Sequence, residues 1–140
     1  MELVFLEPLE SIIFDGRVIK GIKVKEKTFG GFCECGGVMY QKMRFIDSKT
    51  GILVSECDKC WKNDALIISM LDGRVMDRAD LKLVDRSNFP EFLKKILSES
   101  EFKAVIAKAY GKEYNPSSYS KAKRKLEEMN LEISTILSII

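Results

Sequence analysis

Phe32-Cys33-Glu34-Cys35-Gly36-Gly37 and Cys57-Asp58-Lys59-Cys60-Trp61 are the stretches on which the fold of this chain turns. They hold all four of its cysteines, and the chain has no histidine. Two short cysteine pairs, each beside a glycine or a polar turn and separated by a stretch patterned as a β-hairpin, have the spacing of a tetrahedral four-thiolate zinc site. With Cys33, Cys35, Cys57 and Cys60 all taken as ligands, one zinc ion has no open position for water and is structural. A rubredoxin-like iron site is the rival metal centre, and a thiol oxidoreductase the rival use of Cys57-x-x-Cys60. The first knuckle, Cys-x-Cys, is one residue shorter than the pair of Cys-x-x-Cys knuckles that iron sites use. A redox role for the second knuckle alone leaves Cys33 and Cys35 without a purpose.

Outward from the cysteines the chain reads as β-structure. Gly36 and Gly37 permit a tight turn, Val38 to Ile46 is patterned as a strand, and Asp47 to Gly51 is a turn. Ile52-Leu53-Val54 runs back toward Cys57, and Ala65 to Ile68 supplies a third strand. The segment from Phe32 to about Met70 resembles the zinc-ribbon families of archaeal and eukaryotic transcription and RNA-processing proteins, on the strength of Cys33-x-Cys35-Gly36-Gly37 and Cys57-x-x-Cys60. The shorter first knuckle is the departure from that pattern.

Asp15-Gly16 stands between Ile12-Ile13-Phe14 and Arg17-Val18-Ile19, which predicts a hairpin with a type I′ turn because both central residues must take positive φ. The four residues Asp-Gly-Arg-Val recur at 72–75. Either both are simply good turns, or the hairpins before and after the ribbon pair in one sheet, with Leu81 to Val84 as a further strand. After Arg86 the period changes from two toward 3.6. Phe89, Phe92, Leu93, Ile96 and Leu97 share a helical face with Pro90 in the first turn. Ser98 and Glu101 form a capping box for a second helix that Gly111 ends. Asn115-Pro116 opens a third, whose apolar stripe continues through Ile133, Ile136 and Ile140 to the C-terminus as one long helix; the alternation from Leu131 to Ile139 also suits a strand. The expected fold is therefore α+β: a β-rich region over residues 1–86 carrying a zinc ribbon at about 32–70, then a helical hairpin or three-helix region over 87–140.

Composition narrows the function classes. The net charge of +2 comes from 23 basic and 21 acidic residues, so nucleic acid can be recruited only by a local patch. A bias to Lys, Glu and Ile hints at a high-temperature origin. The early acids of Met1-Glu2-Leu3-Val4-Phe5-Leu6-Glu7 speak against a secretory signal, and no run reaches the roughly 18 apolar residues of a membrane span. Location in the cytoplasm is the expectation, where paired cysteines hold metal more often than they form disulfides.

The local patch is on the third helix, where Lys121, Arg124 and Lys125 share a face by i, i+3 and i, i+4 spacing. Residues 101–131 resemble the helix-turn-helix of transcription regulators. That resemblance implies that Ser118, Ser120, Lys121, Arg124 and Lys125 face DNA, although residues 112–115 make a longer joint than the family's turn. A second surface is the ribbon, where Tyr40, Lys42 and Arg44 alternate along one strand face and Lys59, Trp61 and Lys62 flank the second knuckle, a mixture of aromatics and bases suited to single-stranded nucleic acid. Trp61 and Tyr40 also suit packing over the metal. Catalysis is not expected, because histidine and phosphate-binding glycine loops are lacking and the acids are scattered. The resulting expectation is a zinc-containing DNA- or RNA-binding protein, a transcription regulator or accessory factor. The alternative is an assembly module that dimerises or binds a protein partner through Phe92, Ile96, Ile133, Ile136 and Ile140.

Overall fold

The computed structural model describes residues 2–140, so Met1, the first residue of the stretch read against a secretory signal, lies outside the described residues. The strands are β1 Glu2–Leu6, β2 Ser11–Phe14, β3 Arg17–Lys20, β4 Ile22–Lys23, β5 Phe29–Phe32, β6 Val38–Asp47, β7 Thr50–Cys57, β8 Asn63–Ser69 and β9 Val75–Val84. The helices α1 Phe89–Ile96, α2 Glu99–Ala109, α3 Pro116–Glu128 and α4 Ile133–Ile139 follow, and a 3-10 turn at Glu7–Leu9 joins β1 to β2.

The strands lie in the order β3-β2-β1-β9-β8-β7-β6-β4, with β5 added against β6. Its two ends, β3 and β4, are consecutive in the chain and separated only by Gly21, so the sheet curls into a nearly closed barrel. Gly21 makes this seam possible. A Cβ there would stand 2.4 Å from the Phe45 ring and 2.9 Å from the Arg44 carbonyl oxygen. On either side of it, the Gly21 N–H donates to the Glu10 carbonyl at 2.9 Å and the Val24 N–H to the Lys42 carbonyl at 3.0 Å. The hairpin at Asp15-Gly16 is as expected, with φ of 51° and 75°.

β1 is buried on both faces, which explains its unbroken apolar run. Leu3 and Phe5 point into the barrel with Ile12, Met43, Phe45, Ile52, Val54, Ala65, Ile67 and Ala79. Leu6, with Val18 and Val84, points the other way into a second core completed by Phe89, Leu93, Val105, Leu126 and Ile136 of the helices. β1 pairs in parallel with β9, from Glu2 opposite Asp80 to Leu6 opposite Val84, and this pairing joins the first hairpin to the last strand. The hairpins read as a ribbon are thus not free-standing: β6, β7 and β8 are consecutive barrel strands whose inward side chains build its core.

The helical half follows its local signals until Asn130. Ser98 and Glu101 form the capping box, the Asn115 side chain accepts from the N–H groups of Ser117 and Ser118, and Gly111 takes φ 69° at the end of α2. The single long helix expected from Pro116 onward is instead two. Asn130 adopts φ 67°, its N–H donates to the Glu127 carbonyl at 3.0 Å, and the Leu131 N–H reaches back to the Leu126 carbonyl at 2.8 Å. This is a Schellman ending with asparagine in the glycine position, and Leu131 and Leu126 both enter the core beneath it. The tail from Ile133 is a fourth helix, neither the continuation nor the strand. Phe92, Ile133 and Ile136 are buried in this core, and Ile96 and Ile140 are partly buried against it, so much of the apolar surface read as a dimer or partner interface packs within the chain.

Candidate metal centre and nucleic-acid interface

The turn between β5 and β6 and the turn between β7 and β8 meet at one end of the barrel. Asp58 ties them, its N–H donating to the Val38 carbonyl and its Oδ1 accepting from the Val38 N–H, each at 3.0 Å. The Sγ atoms of Cys33, Cys35, Cys57 and Cys60 all lie within 4.8 Å of one another. Cys35 and Cys57 approach to 3.4 Å and Cys33 and Cys60 to 3.6 Å, near the roughly 3.8 Å sulfur separation that tetrahedral bonds of about 2.3 Å require. The Gly37 N–H donates to Cys35 Sγ, and the N–H groups of Lys59 and Cys60 donate to Cys57 Sγ. Gly37 leaves room for this, since a Cβ there would stand 2.6 Å from Cys57 Sγ.

The protonation of the cluster expresses the same geometry. The N–H groups of Cys60 and Lys59 pull the Cys57 thiol down to about 6 against the cost of its burial. Cys35 gains from the Gly37 N–H, yet the neighbouring Cys57, burial, Cys60 and Cys33 together push it up to about 12. Four thiolates this close repel one another unless a cation stands among them. The donor set fits a metal ion held by four sulfurs.

The bases foreseen on the ribbon strand do not form one face. β6 carries a bulge between Gln41 and Met43, so Lys42 is the extra residue and the alternation changes phase there. Arg44 donates to Gln41 Oε1 at 2.8 Å on the outer side. Lys42 turns toward the barrel, 5.6 Å from the centroid of Phe5, with its ammonium 3.0 Å from both Glu7 and Glu56. Burial alone would lower its pKa, but the two carboxylates raise it above the ordinary lysine value. Lys42 is therefore a neutralised cation in the lining of a cleft of about 910 Å³, and Lys62 is exposed and lines a separate depression with Cys33, Asp64 and Arg78.

On the helices, Ser118, Lys121, Arg124 and Lys125 do come together. With Ser98, Ser100 and Glu101 they line a shallow depression of about 420 Å³ at the start of α2, which does not include Ser120. Lys125 is committed, 2.7 Å from Glu101 Oε1. Among the described residues neither Lys121 nor Arg124 has an ion-pair or hydrogen-bond partner. Ser98 was legible in the sequence only as a helix-start residue, and Ser100 was not singled out. Glu7 and Arg86, which line the cleft, were not singled out as site residues because they are distant in sequence from the cysteines, and Asp85 stood only among the scattered acids.

Among the described residues no helix is long and apolar enough to cross a membrane. No solved structure matches the chain. The chain is 44% identical over 132 residues to an uncharacterised protein of Archaeoglobus fulgidus, covering 94% of each. Residues 2–83 match the AF0631-like N-terminal beta-barrel domain and residues 86–139 the AF0631-like C-terminal four-helix domain; with both domains present in order, the chain belongs to the AF0631-like family.

Proposed function

We propose that this protein binds nucleic acid through the depression between α2 and α3, has no catalytic role of its own, and acts as an accessory or regulatory factor in transcription. One observation carries the reading: Lys121 and Arg124 stand uncommitted beside the hydroxyls of Ser98, Ser100 and Ser118 in a concave surface. Two free cations with hydroxyl donors around a hollow suit phosphate oxygens, which accept hydrogen bonds and carry negative charge. The contribution of Lys125 is indirect, since it fixes α3 against α2 through Glu101.

In this reading zinc occupies the four-sulfur centre. Cys33, Cys35, Cys57 and Cys60 would hold it in a closed tetrahedron, and it would supply cross-linking of two turns rather than chemistry on a substrate. Supporting zinc over iron are the short Cys33-x-Cys35 knuckle and the few N–H donors, one to Cys35 and two to Cys57.

Fluorescence anisotropy with labelled DNA and RNA tests the interface. Binding should weaken steeply with salt, and the double variant Lys121→Ala/Arg124→Ala should flatten the log–log salt slope by about 1.4 to 1.8, the loss of two phosphate contacts. Absence of binding at low salt defeats the proposal. Elemental analysis of the purified protein should find one zinc per chain, and iron would overturn the metal assignment.

A further inference from the structure

Trp61 combines two properties that no packing requirement explains. It holds φ 64°, a left-handed conformation that bulky residues rarely adopt, directly after the last cysteine. The residue is nevertheless 69% exposed, so burial does not repay that strain. The backbone is pinned in place, with the Trp61 N–H donating to the Cys57 carbonyl at 3.2 Å and Asn63 Nδ2 donating to the Trp61 carbonyl at 3.3 Å. A glycine would satisfy this turn without strain. The chain instead presents a rigidly based indole at the edge of the 910 Å³ cleft.

Much of the remaining lining of that cleft is polar. Arg86, on the segment joining β9 to α1, lines it, and among the described residues its guanidinium has no partner. Lys42 is held by Glu7 and Glu56 and Lys23 by Glu10, and neither offers spare charge. Tyr40 is already covered by Lys27, whose Nζ lies 4.5 Å from its ring centroid. Trp61 and Arg86 are thus the free aromatic and the free cation of one cavity, whose size is within the range of small-molecule sites. An aromatic platform and a guanidinium are complementary to a flat heteroaromatic ring carrying a phosphate.

We infer that the cleft receives one unpaired nucleotide, its base stacked on Trp61 and its phosphate at Arg86. The identification of a single strand as the source of that nucleotide rests on the nucleic-acid reading above; a free mononucleotide has the same chemistry.

Trp61 is the sole tryptophan, so emission excited at the red edge of its absorption reads this residue alone. Titration of the zinc-loaded protein with an unlabelled single-stranded decanucleotide should quench it saturably, whereas a fully paired duplex should not. Trp61→Gly should weaken single-strand binding about 5- to 150-fold, as loss of one stacked base does, while raising the melting temperature through relief of the left-handed strain. Trp61→Phe, which keeps both ring and strain, should retain most of the affinity. Arg86→Ala should lower the salt dependence by about one phosphate contact. Strand binding by anisotropy with unchanged Trp61 emission, or undiminished binding by Trp61→Gly, overturns the inference and leaves the α2–α3 interface standing. Saturable quenching by mononucleotides with no binding of any strand upholds the cleft, assigns it to free nucleotides, and removes the nucleic-acid reading. No response to strand or mononucleotide removes both.

Discussion

Glu101 holds two helices with one carboxylate. Its Oε1 accepts from the Ser98 N–H at 2.8 Å and from Lys125 Nζ at 2.7 Å, while the Glu101 N–H returns a bond to the Ser98 hydroxyl. The ammonium of Lys125, then the Ser98 donors, hold the carboxyl down to about 2 despite the cost of burial. Because that lies below the ordinary value of 4.5, the charge favours the folded state, and this stability is complete above pH 4.5 and is lost as pH falls toward 2. Chemical denaturation followed by circular dichroism at stepped pH should show this fall. Glu101→Gln, which keeps a capping side chain without the charge, should flatten it, and Glu101→Ala should cost about 1 to 2 kcal/mol at neutral pH. Gly37 acts at the same scale on the metal centre. A methyl group there would stand 2.6 Å from Cys57 Sγ and 2.8 Å from Lys59 Cβ. Gly37→Ala should therefore lower metal affinity about 10- to 100-fold in competition with a chromophoric chelator, the range seen when the groups around metal ligands are disturbed.

Among the elements, α4 shows how one residue redirects a segment. The stripe through Leu126, Met129, Ile133 and Ile136 is continuous on paper, yet the left-handed turn at Asn130 folds it back so that Leu131, Ile133 and Ile136 enter the same core as Leu126. Ile136 is fully buried, and Ile136→Ala should destabilise the fold by about 2 to 5 kcal/mol in urea titrations. Asn130→Gly removes only a side chain that tolerates the left-handed region, and stability should change by no more than about 0.5 kcal/mol. The Val18 N–H donates to the Met129 carbonyl at 3.0 Å, so the end of α3 also satisfies part of the β3 edge. The bulge in β6 is the corresponding event in the sheet. It separates Lys42 from Arg44, which a strict period of two puts on one face.

At the scale of the whole molecule, barrel and helices share a core, since Leu6, Val18 and Val84 of the strands pack with Phe89, Leu93 and Leu126 of the helices. Thermal unfolding should accordingly show one transition by both near- and far-ultraviolet circular dichroism, and a fragment of residues 86–140 made alone should fail to fold cooperatively. Chelation in the zinc reading should lower the melting temperature of the intact chain, because two turns crowded with thiolates lose the cation that offsets their repulsion. What the sequence by itself determined is what short range controls. The cysteine pairs, the Asp15-Gly16 turn, the Ser98 and Asn115 caps and the Gly111 stop each depend on a few adjacent residues, whose backbone and side-chain chemistry admits few conformations. Only the tertiary structure decided the rest: that β3 and β4 seam the barrel at Gly21, that Lys42 and Lys125 are taken by carboxylates 35 and 24 residues away, and that Lys121, Arg124 and Trp61 remain free. Which charges are neutralised depends on partners brought near by chain closure, and local pattern holds no information about partners that distant.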